Sequence, residues 1–256
     1  MPTLNVHYLP QFVAEADLAG GTAIVVDLLR ASTTICQALA NGAKCVVPSV
    51  EVDATFALAQ GYERSEIVLG GERGGEIIEG FDLGNCPSDY TADQVFNRTV
   101  LFTTTNGTKA INHARLADRV LVGCAANRRA VSEVAADSEQ VDILCAGTNG
   151  KVTREDILAA GAIAHRLATH HAPPATPWST NEWADSARGE WEELLNTATA
   201  LNRTADDQFA IELQDTLGGK NLLALGFDDD LVTCAQLDKL KDVPALDKQS
   251  GEFRLL

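Results

Sequence analysis

Asp27 closes the apolar run AIVVD and is followed at once by LLRASTT, so a carboxylate, the guanidinium of Arg30 and the hydroxyls of Ser32 and Thr33 leave one strand end together. That set suits phosphate chemistry. A carboxylate can hold a hard metal ion, Arg can neutralise phosphoryl oxygens, and the free N–H groups opening the next helix bind an anion. The plainer alternative is that Asp27 caps a helix and Arg30 is its ion-pair partner. An aspartyl nucleophile is available in principle. The chain, however, has Leu29 where a second carboxylate would stand, which favours Asp27 as a metal ligand.

A second group lies in IVLGGERGGEIIEGFDLGNCPSDY (67–90), whose first 18 residues hold six glycines and four acids. Glu72 and Asp82, with Glu76 and Glu79 beside them, offer hard oxygens to Mg²⁺, while Arg73 can reach a phosphate and Asn85 a substrate. A solvated acidic loop is the alternative, but so many glycines carry an entropic cost that a plain loop does not require. The turn TTTNGTK (103–109) is dense in donors: Thr105, Asn106, Gly107 and Thr108 can form an anion-cradling nest, and Lys109 adds charge. It is not a P-loop, because GxxxxGK[ST] is absent. Glu155 and Asp156 follow Thr153 in a capping-box-like spacing, yet they fall at the same expected edge as Asp27 and are also candidate metal ligands.

With 20 Lys and Arg against 36 Asp and Glu, the net charge of −16 argues against a nucleic-acid partner and repels a phosphate monoester at long range. A phosphate site therefore needs local cations. Arg30, Arg73, Lys109, Arg128, Arg129, Lys151 and Arg154 all fall in or just after expected strand-end turns. A thiolate route is the competing chemistry: Cys145 is followed by Lys151 and Cys124 by Arg129, near misses of a Cys-x5-Arg phosphate loop. The six cysteines are scattered through apolar runs without CxxC pairs, which suits reduced core thiols. The five histidines show no paired-ligand spacing.

The elements that must position these groups share one plan. Ala23 to Val47, Val100 to Gly123 and Val141 to Leu167 each read as an apolar strand, a small polar turn and a helix-period segment. Continuously apolar strands alternating with helices predict an α/β fold, a largely parallel or mixed sheet with helices on both faces. Ligands in such folds sit beyond the carboxyl ends of the strands, where the polar turns should converge. The chain is read as one domain over residues 1–256, with a candidate division into two lobes near 170–180, where HHAPPATPWS reads as a linker or loop. Trp183, Ala187, Trp191, Leu194, Ala198 and Leu201 recur at helical spacing as a core face, and LLALGFDDDLVTCAQLD and VPAL read as a further helix and a returning tail. No apolar stretch is long enough to span a bilayer and the start lacks a signal pattern, so a cytoplasmic protein with no membrane partner is expected, a homodimer being the default assembly.

The segments VVDLLRASTTICQALANGA, GGERGGEIIEGFDLGNCPSDY, TTTNGTKAI and LCAGTNGKVTREDILAAG together resemble the 2-phosphosulfolactate phosphatase family of coenzyme M biosynthesis, from about Ile24 to Ala162. The resemblance implies a Mg²⁺-dependent α/β hydrolase that releases phosphate from 2-phospho-3-sulfolactate, a small anionic phosphorylated substrate. Under it, Mg²⁺ is held by some of Asp27, Glu72, Asp82, Glu155 and Asp156, while Arg30, Arg73 and the Thr105 to Lys109 turn stabilise the transferring group. Lys109, Arg128 and Lys151 are then the expected partners of the sulfonate and carboxylate. Cys86 stands where the family form has Ser. A nonhydrolytic receptor for an anionic metabolite and a phosphatase for another phosphorylated acid are the competing functions.

Overall fold

The structure, a computed structural model, describes residues 1–170 and 177–256, with only the backbone of His170. The middle of the Pro-rich stretch, residues 171–176, lies outside the described residues. In chain order the strands are β1 (Thr3–His7), β2 (Thr22–Val26), β3 (Cys45–Pro48), β4 (Ile67–Arg73), β5 (Glu76–Ile77), β6 (Thr99–Thr103), β7 (Arg119–Val122), β8 (Gln140–Cys145), β9 (Ser179–Thr180), β10 (Pro244–Asp247) and β11 (Glu252–Leu255). The helices are α1 (Ala31–Ala40), α2 (Val52–Ala59), α3 (Ala92–Val95), α4 (Gly107–His113), α5 (Arg128–Ala135), α6 (Arg154–His170), α7 (Glu182–Ala200), α8 (Ala205–Asp215), α9 (Leu217–Leu225) and α10 (Asp228–Ala235).

All eleven strands join one mixed sheet in the order β5-β4-β6-β3-β11-β10-β7-β2-β8-β1-β9. The apolar runs are its interior: every residue of β2 and β6 is buried, as strands covered on both faces must be. Two parallel sets result, β4-β6-β3 and β7-β2-β8-β1. The C-terminal hairpin of β10 and β11 joins them, running antiparallel to β7 on one side and β3 on the other. The VPAL segment does return to the body, and it does so as part of the middle of the sheet. Each hairpin strand is four residues long, and only Pro244 and Phe253 are fully buried, so the period-two signal is too short to read.

The sheet curls. Five strand spacings separate β6 from β2 in the sheet order, about 24 Å if flat, and the connection from Thr103 to Gly107 can span only ~14 Å. Yet a Cβ added at Gly107 would stand 2.7 Å from the Asp27 Oδ2 atom. The curve closes over α1, which touches β3, β7 and β10 and is buried along nearly its whole length, Gln37 and Ala40 excepted. Such a helix must be uncharged all round, as ASTTICQALA is.

Helices α6 and α7 pack against each other beside β1, β2 and β8. The helical face read from the sequence is core: Ala187, Trp191, Leu194 and Ala198 are buried, and Trp191 meets Phe209 edge to face at 5.4 Å. Leu201, just past the helix, is exposed, and Trp183 stacks on Tyr8 at 5.6 Å. All six cysteines are free, and all but Cys86 are buried. Among the described residues no helix is long and apolar enough to cross a membrane.

Candidate functional site

A cavity of about 550 Å³ opens where the carboxyl ends of β2, β4, β6 and β8 meet the helix α9. Its wall contains Asp27, Leu29 and Arg30 after β2, Glu72 to Gly75 at the end of β4, Thr105 and Asn106 after β6, and Thr148 and Asn149 after β8. Asn85 and one side of α9, with Asn221, Leu222 and Leu225, complete it. The polar turns do converge on one edge.

The turn after β2 is self-braced. The Asp27 N–H donates to Ser32 Oγ at 2.8 Å, the Ser32 N–H returns to the Asp27 carbonyl at 2.9 Å, and Thr33 Oγ1 donates to the Leu28 carbonyl at 3.0 Å. Ser32 and Thr33 therefore hold the turn and do not face the cavity. What the turn presents is the Asp27 carboxylate, 8% exposed. Burial, reinforced by the charges of Glu72 and Glu155, pushes its pKa up to about 7, against the pull of the Ala31 N–H and Arg30.

Arg30 is 2% exposed and held from three sides. Nη1 donates to Asp230 Oδ2 at 2.5 Å, Nη2 donates to the Gly75 carbonyl at 2.9 Å, and the guanidinium lies 4.3 Å from the centre of the Phe227 ring. Glu72 ties two turns together: Oε1 accepts the Thr105 N–H at 2.7 Å, and Oε2 accepts the Gly75 N–H at 2.7 Å and Thr105 Oγ1 at 3.2 Å. The reversal that brings Gly75 back needs φ of +64° at Gly74 and +90° at Gly75, the region glycine alone enters freely. Arg73 is braced by the Glu72 and Val50 carbonyls, both at 2.8 Å, and by Thr103 Oγ1 at 2.9 Å.

Behind this wall, Glu155 Oε1 accepts the Gly218 N–H at 3.0 Å, whereas its buried Oε2 has no partner. Burial raises its pKa. Asp156 is committed elsewhere: Oδ1 accepts the Leu28 N–H and Oδ2 the Gly147 N–H, both at 2.9 Å, so it staples the ends of β2 and β8. Burial and the charges of Asp27 and Glu155 hold its pKa well above the usual carboxylate range. Among the described residues no three His, Cys, Asp or Glu side chains form a ready-made metal cage.

The family model for 2-phosphosulpholactate phosphatase matches residues 7–249. The chain belongs to that family. Relatives named probable 2-phosphosulfolactate phosphatase include one from Symbiobacterium thermophilum, 42% identical over 89% of this chain and 92% of the relative. Another from Caldanaerobacter subterraneus is 34% identical over 91% of each, and one from Synechococcus sp. is 36% identical over 89% of this chain and 90% of its own. The 2-phosphosulpholactate phosphatase family is one of phosphoric monoester hydrolases.

In this member of the 2-phosphosulpholactate phosphatase family, several expected site residues lie away from the cavity. Asp82 pairs with Arg64 and accepts the Leu69 N–H at 2.8 Å, pinning the chain beside β4. Lys109 and Lys151 are exposed and outside the cavity wall. Arg128 pairs with Asp238 at 2.5 Å and lies 5.8 Å from the Trp191 ring centre. Thr108 is spent inside its own turn, its Oγ1 donating to the Thr104 carbonyl at 2.9 Å. Gly107 does reach the site from behind, where Asp27 Oδ2 and Ala31 Cβ leave no room for a side chain. Asn85 lines the wall with its Oδ1 buried and unpartnered, an atom awaiting a donor. Cys145 is fully buried and outside the wall, and burial with nearby Asp156 and Glu155 drives its thiol pKa far up, the opposite of what a thiolate nucleophile needs.

Sequence reasoning missed Asp230 and α9. Asp230 hides in the run FDDDL, which reads as an acidic first turn. Its signal was helical phase: Phe227, Asp230, Leu231 and Cys234 share one face, so Asp230 alone of the three acids sits on the apolar side.

Proposed function

We propose that the chain is a Mg²⁺-dependent phosphatase that hydrolyses 2-phospho-3-sulfolactate, or a similarly small phosphorylated acid, to the hydroxy acid and phosphate. The observation that carries this reading is the mixed-sign cavity wall, in which Asp27 and Glu72 stand with Arg30 and Arg73. A receptor for an anion gains nothing from two carboxylates unless a cation screens them.

The donor set fits Mg²⁺, which takes oxygen ligands, often one or two carboxylates, and completes its shell with water and substrate phosphate. Asp27 and Glu155 are the acids with oxygens left uncommitted, and Asp27 is the one facing the cavity. Glu72 has most of its lone-pair capacity spent on Thr105 and Gly75 and acts as an organiser of the wall. Bound there, Mg²⁺ supplies charge neutralisation and an activated water.

The chain's own residues do the rest. Arg30 and Arg73, immobilised by protein acceptors, fix positive charge where the phosphoryl oxygens lie, without reorganisation during the reaction. Asn85, Asn106, Asn149 and Asn221 line the wall as neutral hydrogen-bonding groups for the acid arms of the substrate. Leu29, Leu222 and Leu225 form its apolar part and limit bulk water. Hydrolysis then joins a water oxygen to phosphorus, breaks the bond to the hydroxy-acid oxygen, and returns a proton to that oxygen.

Phosphate release from 2-phosphosulfolactate and a panel of phosphorylated hydroxy acids, with Mg²⁺ or EDTA, for the wild type and Asp27→Ala, tests this reading. Mg²⁺-dependent release lost in the variant is the expected result. Tight binding of one compound without release from any would replace the phosphatase with a receptor.

A further inference from the structure

The cavity contains an unusual division of partners. Arg30 lies three residues from Asp27 and close enough to lower its pKa, yet its ion pair is with Asp230, 200 residues away on α10. Both side chains of that pair are almost completely buried, so the pairing is not an incidental surface contact. The second Asp230 oxygen is taken as well: Cys86 Sγ donates to Oδ1 at 2.9 Å. The thiol pKa is pushed up to about 12 by burial and the Asp230 carboxylate, so Cys86 remains a neutral donor. Phe227, three residues before Asp230, lies against the guanidinium.

We propose that Asp230 is a positioning residue for the phosphatase reaction, holding Arg30 in the cavity wall and keeping its charge from collapsing onto Asp27. The physical reason is competition. A buried guanidinium without a carboxylate partner moves to the nearest anion, because an unpaired buried charge is the costliest arrangement available. Of the other acids that feel Arg30, Asp27 and Asp89, it is Asp27 that shares the cavity wall, and its pairing with Arg30 would cancel both charges the reaction uses. With Asp230 on one nitrogen and the Gly75 carbonyl on another, Arg30 stays in the wall and Asp27 stays free. The inference rests on the phosphatase reading and assigns the α10 face a role in it.

The test compares Asp230→Asn with Asp238→Asn. Asp238 forms a partly buried arginine pair, with Arg128 at 2.5 Å, outside the cavity wall. Both variants should melt below the wild type. Only Asp230→Asn should lose kcat on 2-phosphosulfolactate, by about 10²-fold, the scale set by removing one preorganised charge-stabilising group, with a smaller change in KM. Asp230→Glu should recover at least about tenfold of that loss, since a longer carboxylate still pairs with Arg30. Phe227→Leu, which leaves the ion pair intact, should cost about fivefold in kcat/KM. Should Asp230→Asn not fold, the Glu and Leu variants carry the test, and wild-type kinetics in both would overturn the proposal. An Asp230→Asn enzyme that melts like Asp238→Asn and keeps wild-type kcat and KM would also overturn it. If the wild type does not hydrolyse 2-phosphosulfolactate, the functional reading fails separately. Calorimetric affinity for inorganic phosphate then decides: about tenfold weaker binding in Asp230→Asn alone supports positioning, and equal affinity in all variants overturns it.

Discussion

Two turns in this protein carry the same three residues, Thr105-Asn106-Gly107 after β6 and Thr148-Asn149-Gly150 after β8, and they use glycine for opposite reasons. Gly107 opens α4 and is buried, and a Cβ there would meet Ala31 Cβ at 2.6 Å and Asp27 Oδ2 at 2.7 Å. Gly150 is exposed, and a Cβ there would meet nothing within 4 Å; what it supplies is φ of +71°, beside Asn149 at +52°. Its turn is closed by a reciprocal pair of backbone bonds between Thr148 and Lys151, each 3.0 Å. The turns touch where the Asn149 N–H donates to Asn106 Oδ1 at 2.9 Å. One glycine makes space for the Asp27 carboxylate in the cavity wall, whereas the other only lets the chain reverse.

The sharpest way to break this comparison is to give both glycines a methyl group. Gly107→Ala should lower activity by about 10²-fold, because Asp27 must shift, and lower stability by about 1–3 kcal/mol. Gly150→Ala should cost about 1 kcal/mol for an alanine held at positive φ and leave kcat unchanged. Urea unfolding and phosphate release on the two variants check both statements.

The carboxylate that Gly107 accommodates gives the next effect. With its folded pKa raised to about 7, Asp27 binds a proton more tightly folded than unfolded. Its contribution to stability is therefore present below about pH 4 and lost as pH rises through about 7. In EDTA, the wild type should lose stability from pH 5 to 8 relative to Asp27→Asn. Outside the cavity the sign reverses: burial pushes the Asp238 pKa up, but hydrogen bonds and charge from Arg128 and Arg129 together outweigh it and hold the group below the ordinary carboxylate range, so its contribution is present at neutral pH and lost on acidification. Melting curves of Asp27→Asn and Asp238→Asn across pH should slope in opposite directions relative to the wild type.

Asn106→Ala removes the bond between the turns and one amide of the wall, and KM should rise about tenfold with kcat nearly kept. The smallest change belongs to the outward-facing cations. Lys109→Ala and Lys151→Ala should leave kcat and KM within about twofold of wild type, because neither reaches the cavity. Arg128→Ala should do the same to the kinetics while costing about 1 kcal/mol or more of stability through Asp238 and Trp191.

Much of this arrangement was legible in the chain. Asp27, Arg30, Thr105 and Asn106 were singled out from residue type at strand ends and Glu72, Arg73 and Asn85 from the Gly-rich segment, and the structure brings all of them to one wall. Lys109, Arg128 and Lys151 follow strand ends too, but a position after a strand does not say which way a long side chain leaves the turn. Asp82 and Asp156 have the right chemistry for metal, yet backbone N–H groups of distant segments claim their oxygens. Asp230 was hidden because the chain shows an acidic helix start, and its partner is 200 residues away.

By itself, the sequence determined the strand and helix periods, the polar turns at strand ends and the family, because those depend on residues near one another in the chain. Only the tertiary structure decided that the last strands enter the middle of the sheet, that the sheet curls to bring Gly107 against Asp27, and that Arg30 pairs with Asp230. These outcomes are competitions among distant groups for a few buried positions, and no local pattern records which group wins.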